Sequence, residues 1–134
     1  MPSRPTVLVV EDAPAVFGAL EKFLALRGFD VLAADTADRA MDRLAERKVR
    51  GAVVDLRLAQ GSGREVILSI PPPTPVIIFS AAPDESASLE QMRPNTRLIQ
   101  KPFSLVLLVE ILKGMMDAAA HNEPATRRLS ASAH

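Results

Sequence analysis

Short apolar runs rich in β-branched residues recur five times along this chain, each followed by a segment whose apolar residues return every three or four positions. That alternation is the sequence mark of βα units repeated on a parallel sheet, and it constrains the fold more than any other feature. The first run, Thr6 to Val10, is continuously apolar, as a strand covered on both faces must be. A helix is expected from Pro14, with Val16, Phe17, Leu20, Phe23 and Leu24 on its inner side and Gly28 closing it. The second unit pairs a strand at Asp30 to Ala34 with a helix capped by Thr36, whose inner face is Ala37, Ala40, Met41 and Leu44. Gly51 to Asp55 reads as the third strand, and its helix, around Arg64 to Ser69, must stop at Pro71, Pro72 and Pro73. Pro75 to Ser80 is the fourth strand, followed by a polar helix from about Asp84 to Met92. Arg97 to Gln100 is the fifth, followed by a helix that Ser104 can cap. The expected organisation is one α/β domain over residues 1–118 and a disordered tail over 119–134, where Ala, Ser and Arg replace apolar periodicity.

Composition narrows the function. The chain has no Cys, which removes disulfide frameworks, thiolate metal sites and cysteine nucleophiles together and suits a reducing, cytoplasmic setting. With 16 Lys+Arg against 16 Asp+Glu the formal net charge is zero, so there is no electrostatic footprint for direct binding of nucleic acid or an anionic membrane. There is no Tyr or Trp and only 5 Phe for stacking on bases. The first apolar run meets Glu11 and Asp12 far short of the ~18 residues a membrane span needs.

In an open parallel sheet, ligands bind beyond the carboxyl ends of the strands. Reading those ends together gives Glu11 and Asp12 after the first strand, Asp55 after the third, Ser80 after the fourth and Lys101 after the fifth. Three carboxylates in one crevice repel one another unless a cation neutralises them. Oxygen ligands without His or Cys suit Mg²⁺, which accepts a phosphate oxygen as a further ligand. Each residue alone has a plainer reading: Asp12 as a helix cap, Ser80 as a strand-end hydroxyl, Lys101 as a surface lysine. Their convergence at four strand ends outweighs those readings. His121 and His134 lie away from this set and are read as solvated.

The ordered set Glu11-Asp12, Asp55, Ser80 and Lys101-Pro102-Phe103 resembles the receiver domain of bacterial two-component response regulators. The resemblance implies a flavodoxin-like sheet in the order 2-1-3-4-5. It also implies that Asp55 accepts a phosphoryl group from a sensor histidine kinase or phosphotransfer protein. Asp12 and Asp55 would bind Mg²⁺ directly, Glu11 through a water, and the backbone carbonyl of Arg57 would complete the ligands. Lys101 would neutralise phosphoryl oxygens, Ser80 would hydrogen-bond one of them as the switch, and Pro102 would follow a cis peptide. The chain departs from the pattern at Leu98, where the family often has an aromatic switch residue, and at Ala59, where proline is common. It departs also in its short third helix, and no effector domain is expected after the last helix. Single-domain output is therefore expected through a downstream protein target, as a phosphate shuttle, or through a homodimer.

The last helix carries apolar residues beyond the inward stripe of Leu108, Ile111 and Met115. Leu105, Val109, Leu112 and Met116 are expected to form a partner surface on the face built by the fourth helix, fifth strand and fifth helix. Two further readings compete with the phosphoacceptor. A phosphatase of the haloacid dehalogenase type needs a second Asp two residues after the nucleophile, where Arg57 stands. A receiver-like interaction module that is never phosphorylated draws its support from Leu98 and the short third helix.

Overall fold

Three of the apolar runs are buried from end to end, and they form the middle of the sheet. A computed structural model describes residues 4–81 and 83–121. The strands β1 (Thr6–Val10), β3 (Gly51–Val54) and β4 (Val76–Ser80) are buried throughout, whereas β2 (Asp30–Ala34) and β5 (Thr96–Gln100) are partly exposed edges. All pairings are parallel and the order is β2-β1-β3-β4-β5, as the sequence reading expects. The helices are α1 (Pro14–Leu26), α2 (Ala37–Glu46), α3 (Gly63–Ser69), α4 (Pro83–Met92) and α5 (Leu105–His121).

Side-chain alternation along each strand divides the core into two layers. Val7, Val9, Val53, Ile77 and Phe79 pack with Leu20 and Leu24 of α1 and with Leu108, Val109, Leu112 and Met116 of α5. Leu8, Val10, Val54, Val76 and Ile78 point the other way, onto Ala37 and Ala40 of α2, Val66 and Ile67 of α3 and Leu89 of α4. Local chemistry sets the helix ends. Pro14 opens α1, and Gly28, at φ +91°, ends it: Phe29 N–H returns to Leu24 O at 3.1 Å and Gly28 N–H to Ala25 O at 3.0 Å. Thr36 Oγ1 accepts from Arg39 N at 3.1 Å, and Ser104 Oγ from Leu107 N at 3.2 Å, so both expected caps are present.

The outer face of α5 differs from the sequence reading. Val109 is 1% exposed, Leu112 and Met116 are buried, and Leu105 packs against the same layer, so the expected partner surface is core. The apolar side chains α5 presents to solvent are Val106 and Leu107, the latter 55% exposed, beside the exposed Phe103. The first three turns of this helix are apolar over most of their circumference, and periodicity alone cannot choose the stripe that faces the sheet. Packing chooses it: Met116 sits so close to Gly51 that a Cβ there would lie 2.8 Å from Met116 Sδ. The helix also runs to His121, so residues 119–121 are helical and not part of a tail, while 122–134 lie outside the described residues. The other boundary differences are small: β4 begins at Val76, β5 at Thr96 and α4 at Pro83.

Arg93, at the end of α4, is 5% exposed and carries no signal in the sequence pattern. Its guanidinium donates to Pro71 O at 2.6 Å, Ile70 O at 3.3 Å, Pro94 O at 3.2 Å and Thr96 Oγ1 at 2.9 Å. Burial pulls its pKa below the usual arginine value. These bonds fasten the triple-proline loop to the α4–β5 junction, and Asn95 Nδ2 adds a donation to Pro73 O at 2.9 Å.

Candidate functional site

Because every strand is parallel, all five carboxyl ends lie on one edge of the sheet, and the register aligns them. Val10 pairs with both Ala34 and Val54. The ladder extends one step beyond the strands, with Glu11 N donating to Ala34 O at 3.0 Å and Asp55 N to Val10 O at 2.9 Å. Glu11 and Asp55 therefore leave neighbouring strands at the same height. Each of Glu11, Asp12 and Asp55 places a carboxylate oxygen within 4.8 Å of the others.

Lys101 reaches this cluster from the far side. The Lys101–Pro102 peptide is cis, as expected, and the ammonium donates to Glu11 Oε1 at 2.9 Å and Asp55 Oδ2 at 3.1 Å. It also lies 5.2 Å from the centroid of the Phe79 ring, a cation–π contact from β4. Burial opposes the charge on Lys101, but the hydrogen bonds and attraction of Glu11 and Asp55 outweigh it and hold its pKa above the ordinary lysine value. Glu11, only 4% exposed, has its pKa raised by burial; the bonds from Lys101 and from Ala13 N, at 3.1 Å, offset part of that rise.

The loop after β3 is held tightly around Asp55. Arg57 N donates to Asp55 Oδ1 at 3.1 Å, and Arg57 bridges Ser62 across the loop. Gly63 N donates to Leu56 O at 3.0 Å. A Cβ at Gly63 would lie 2.1 Å from Asp55 O, so only glycine admits this approach. Ala59 N donates to Asp12 Oδ2 at 2.6 Å. Gly63 and the Ala59 amide join the site beyond the expected residues: the paired glycines at 61 and 63 are a visible signal in the sequence, whereas a backbone N–H leaves none.

The structure thus brings together Glu11, Asp12, Asp55 and Lys101. Ser80 is fully buried at the end of β4, and its backbone carbonyl accepts from Lys101 N at 2.9 Å, which places it beside the lysine. Leu98 is half-buried against the α2–α4 layer, and its N–H donates to Glu90 Oε2 at 2.7 Å. Three clustered carboxylates, two of them buried and bonded to one ammonium and the third, Asp12, half-buried beside them, make the donor set for a hard divalent cation and a nucleophilic carboxylate with a counter-charge next to it. Among the described residues no helix is long and apolar enough to cross a membrane.

Comparison with known proteins agrees with this geometry. The transcriptional regulatory protein KdpE of Mycobacterium tuberculosis is 31% identical over 130 residues, covering 95% of this chain and 53% of that protein. Response regulator RR06 of Streptococcus pneumoniae is 29% identical over 114 residues, covering 82% of this chain and 52% of that protein. The chain spans about half the length of the relatives it matches. Among solved structures, a CheY-like receiver domain protein from Methanospirillum hungatei superposes with a TM-score of 0.79 at 21% identity, covering 90% of this chain and all of that one. A sensor protein from Polaromonas superposes at 0.73 with 27% identity, covering 87% of this chain and 98% of that one. The match to the response regulator receiver domain runs over residues 7–113, and this chain belongs to that family, a signalling switch of two-component systems and not a classical enzyme.

Proposed function

We propose that Asp55 is the phosphoacceptor and that the strand-end crevice carries out the transfer. The observation that carries this reading is the Lys101 ammonium held between Glu11 and Asp55 beside the third carboxylate of Asp12. Asp55 oxygen attacks the phosphorus of a phosphohistidine on a sensor kinase or phosphotransfer protein. The O–P bond forms as the N–P bond breaks, and the electron pair returns to the imidazole, which then takes a proton. Glu11, Asp12, Asp55 and the backbone carbonyl of Arg57 would hold Mg²⁺, which when bound supplies positive charge to the phosphoryl oxygens. Lys101 stabilises a further oxygen from its own side, and the Ser80 hydroxyl bonds the phosphoryl group once it is in place. Arg57 N–H, on Asp55 Oδ1, holds the carboxylate in position.

Output runs through protein contacts on the α4-β5-α5 face, to a downstream target or a second copy of the chain, or by passing the phosphoryl group on. The large exposed apolar residues on α4, α5 and the turn before α5 are Met92, Phe103, Val106 and Leu107, whereas Val109 and Met116 are buried. With Leu98 where an aromatic switch is common, Ser80 carries the switching contact alone. The domain works in the cytoplasm, without direct contact to nucleic acid or membrane. The reading as a module that is never phosphorylated is not favoured, since every active position is filled. Beryllofluoride, a stand-in for the phosphoryl group, tests the proposal. It should bind in the presence of Mg²⁺ and shift the amide resonances of Asp55, Ser80 and Lys101, and Asp55→Asn should abolish this. Failure of the wild-type protein to bind would refute it.

A further inference from the structure

The loop that carries Asp55 is fastened at two points. At one, Ala59 N–H donates to the carboxylate of Asp12 at Oδ2, 2.6 Å away, the short contact expected when the acceptor carries charge. At the other, Gln60 O accepts from Ala37 N at 3.3 Å, and Gly61, at φ +85°, lies so close to α2 that a Cβ would meet Ala37 Cβ at 2.6 Å. Residues 59–61 therefore connect a carboxylate of the cation cluster to the first turn of α2.

We infer that the Ala59 amide is a positioning group for Asp12, and that through Gln60 and Gly61 it couples cation binding to the amino terminus of α2. The inference rests on the reading of Glu11, Asp12 and Asp55 as a Mg²⁺ site. An ionised carboxylate offers about four lone-pair sites, so Asp12 can accept the amide and still ligate a cation. The amide removes the rotational freedom that binding would otherwise have to freeze, as partners of metal ligands do elsewhere. Proline, common at this position in receivers, has no N–H, so the contact belongs to this chain's own sequence. Coupling of this kind is reciprocal: whatever tightens Asp12 on a cation tightens the loop on α2.

The test compares Ala59→Pro, which removes the donor, with Ala59→Gly, which keeps it. Each is titrated with Mg²⁺ by calorimetry, and amide exchange is followed with and without the ion. Ala59→Pro should bind Mg²⁺ about tenfold more weakly, and Ala59→Gly as the wild type does. Mg²⁺ should slow exchange at Ala37 in the wild type and not in Ala59→Pro, a response that a merely structural role would not produce. Equal affinity in wild type and Ala59→Pro, or equal weakening in both variants, overturns the inference. Should Ala59→Pro fail to fold, exchange at Ala59 in the cation-free chain decides: faster in Asp12→Ala supports the contact, unchanged refutes it. A wild type that binds no Mg²⁺ removes the cation site itself and this inference with it. A wild type that binds, beside an indifferent Ala59→Pro, removes this inference alone.

Discussion

Lys101 Nζ donates to Glu11 Oε1 at 2.9 Å, joining the end of β5 to the end of β1 across 90 residues of sequence. Without a divalent cation, this ammonium is the one counter-charge shown hydrogen-bonded to Glu11, and burial still leaves the Glu11 pKa above its ordinary 4.5. A carboxyl whose pKa is higher in the folded than in the unfolded chain favours folding while protonated, and that contribution is lost as pH rises through the folded value. Cation-free protein should therefore lose stability as pH rises from 4.5 through the raised Glu11 value. Lys101, raised above 10.5, keeps its charge throughout this window. Urea denaturation across pH in chelator should show the slope, and Glu11→Gln should flatten it. Saturating Mg²⁺ should move it to lower pH, because a nearby cation favours the ionised carboxylate.

Gly63 gives a steric prediction. Its missing Cβ would overlap Asp55 O at 2.1 Å and Leu56 Cα at 2.9 Å, backbone atoms that cannot swing aside. Gly63→Ala should displace Asp55 and destabilise the domain by roughly 2–4 kcal/mol. Thermal denaturation checks the stability, and loss of beryllofluoride binding in the fraction that remains folded checks the displacement.

The corrected orientation of α5 is equally testable. Leu112→Ala, in the buried layer, should cost about 2–5 kcal/mol in chemical denaturation, and Val109→Asp should cost at least as much by burying an unpaired charge. Leu107→Ser, on the solvent side, should stay within about 0.5 kcal/mol of wild type. If Val109→Asp were tolerated and Leu107→Ser were not, the helix would be rotated from the position described.

Arg93 should behave as a structural clamp. Arg93→Met leaves the carbonyls of Ile70 and Pro71 without their donor and should cost about 2–4 kcal/mol. Arg93→Lys should not rescue it, since one ammonium cannot reproduce a planar fork reaching four acceptors on two segments. Equilibrium denaturation of the two variants checks both statements.

How far the sequence could be read depended on whether a feature was local. Within β1 and β4 the residues Val7 to Val10 and Val76 to Phe79 are apolar throughout because helices cover both faces of those strands, so their burial was written in composition alone. Glu11, Asp12, Asp55 and Lys101 were legible because a parallel sheet gathers every strand end at one edge. Periodicity failed on α5, where Val106 and Leu107 are as apolar as Leu108 and Val109 and only packing within the layer built by the sheet and α1 separates them. Arg93 was hidden because two of its acceptors, the carbonyls of Ile70 and Pro71, lie more than twenty residues away, and the Ala59 amide because a main-chain donor has no sequence signature.

The phosphoacceptor is tested most directly by intact-mass analysis of wild type and Asp55→Asn after incubation with a small phosphodonor, with and without Mg²⁺. We expect one phosphoryl increment on the wild type, dependent on Mg²⁺ and absent from Asp55→Asn. An increment that persists in Asp55→Asn, or none on the wild type under any condition, would contradict the assignment of Asp55.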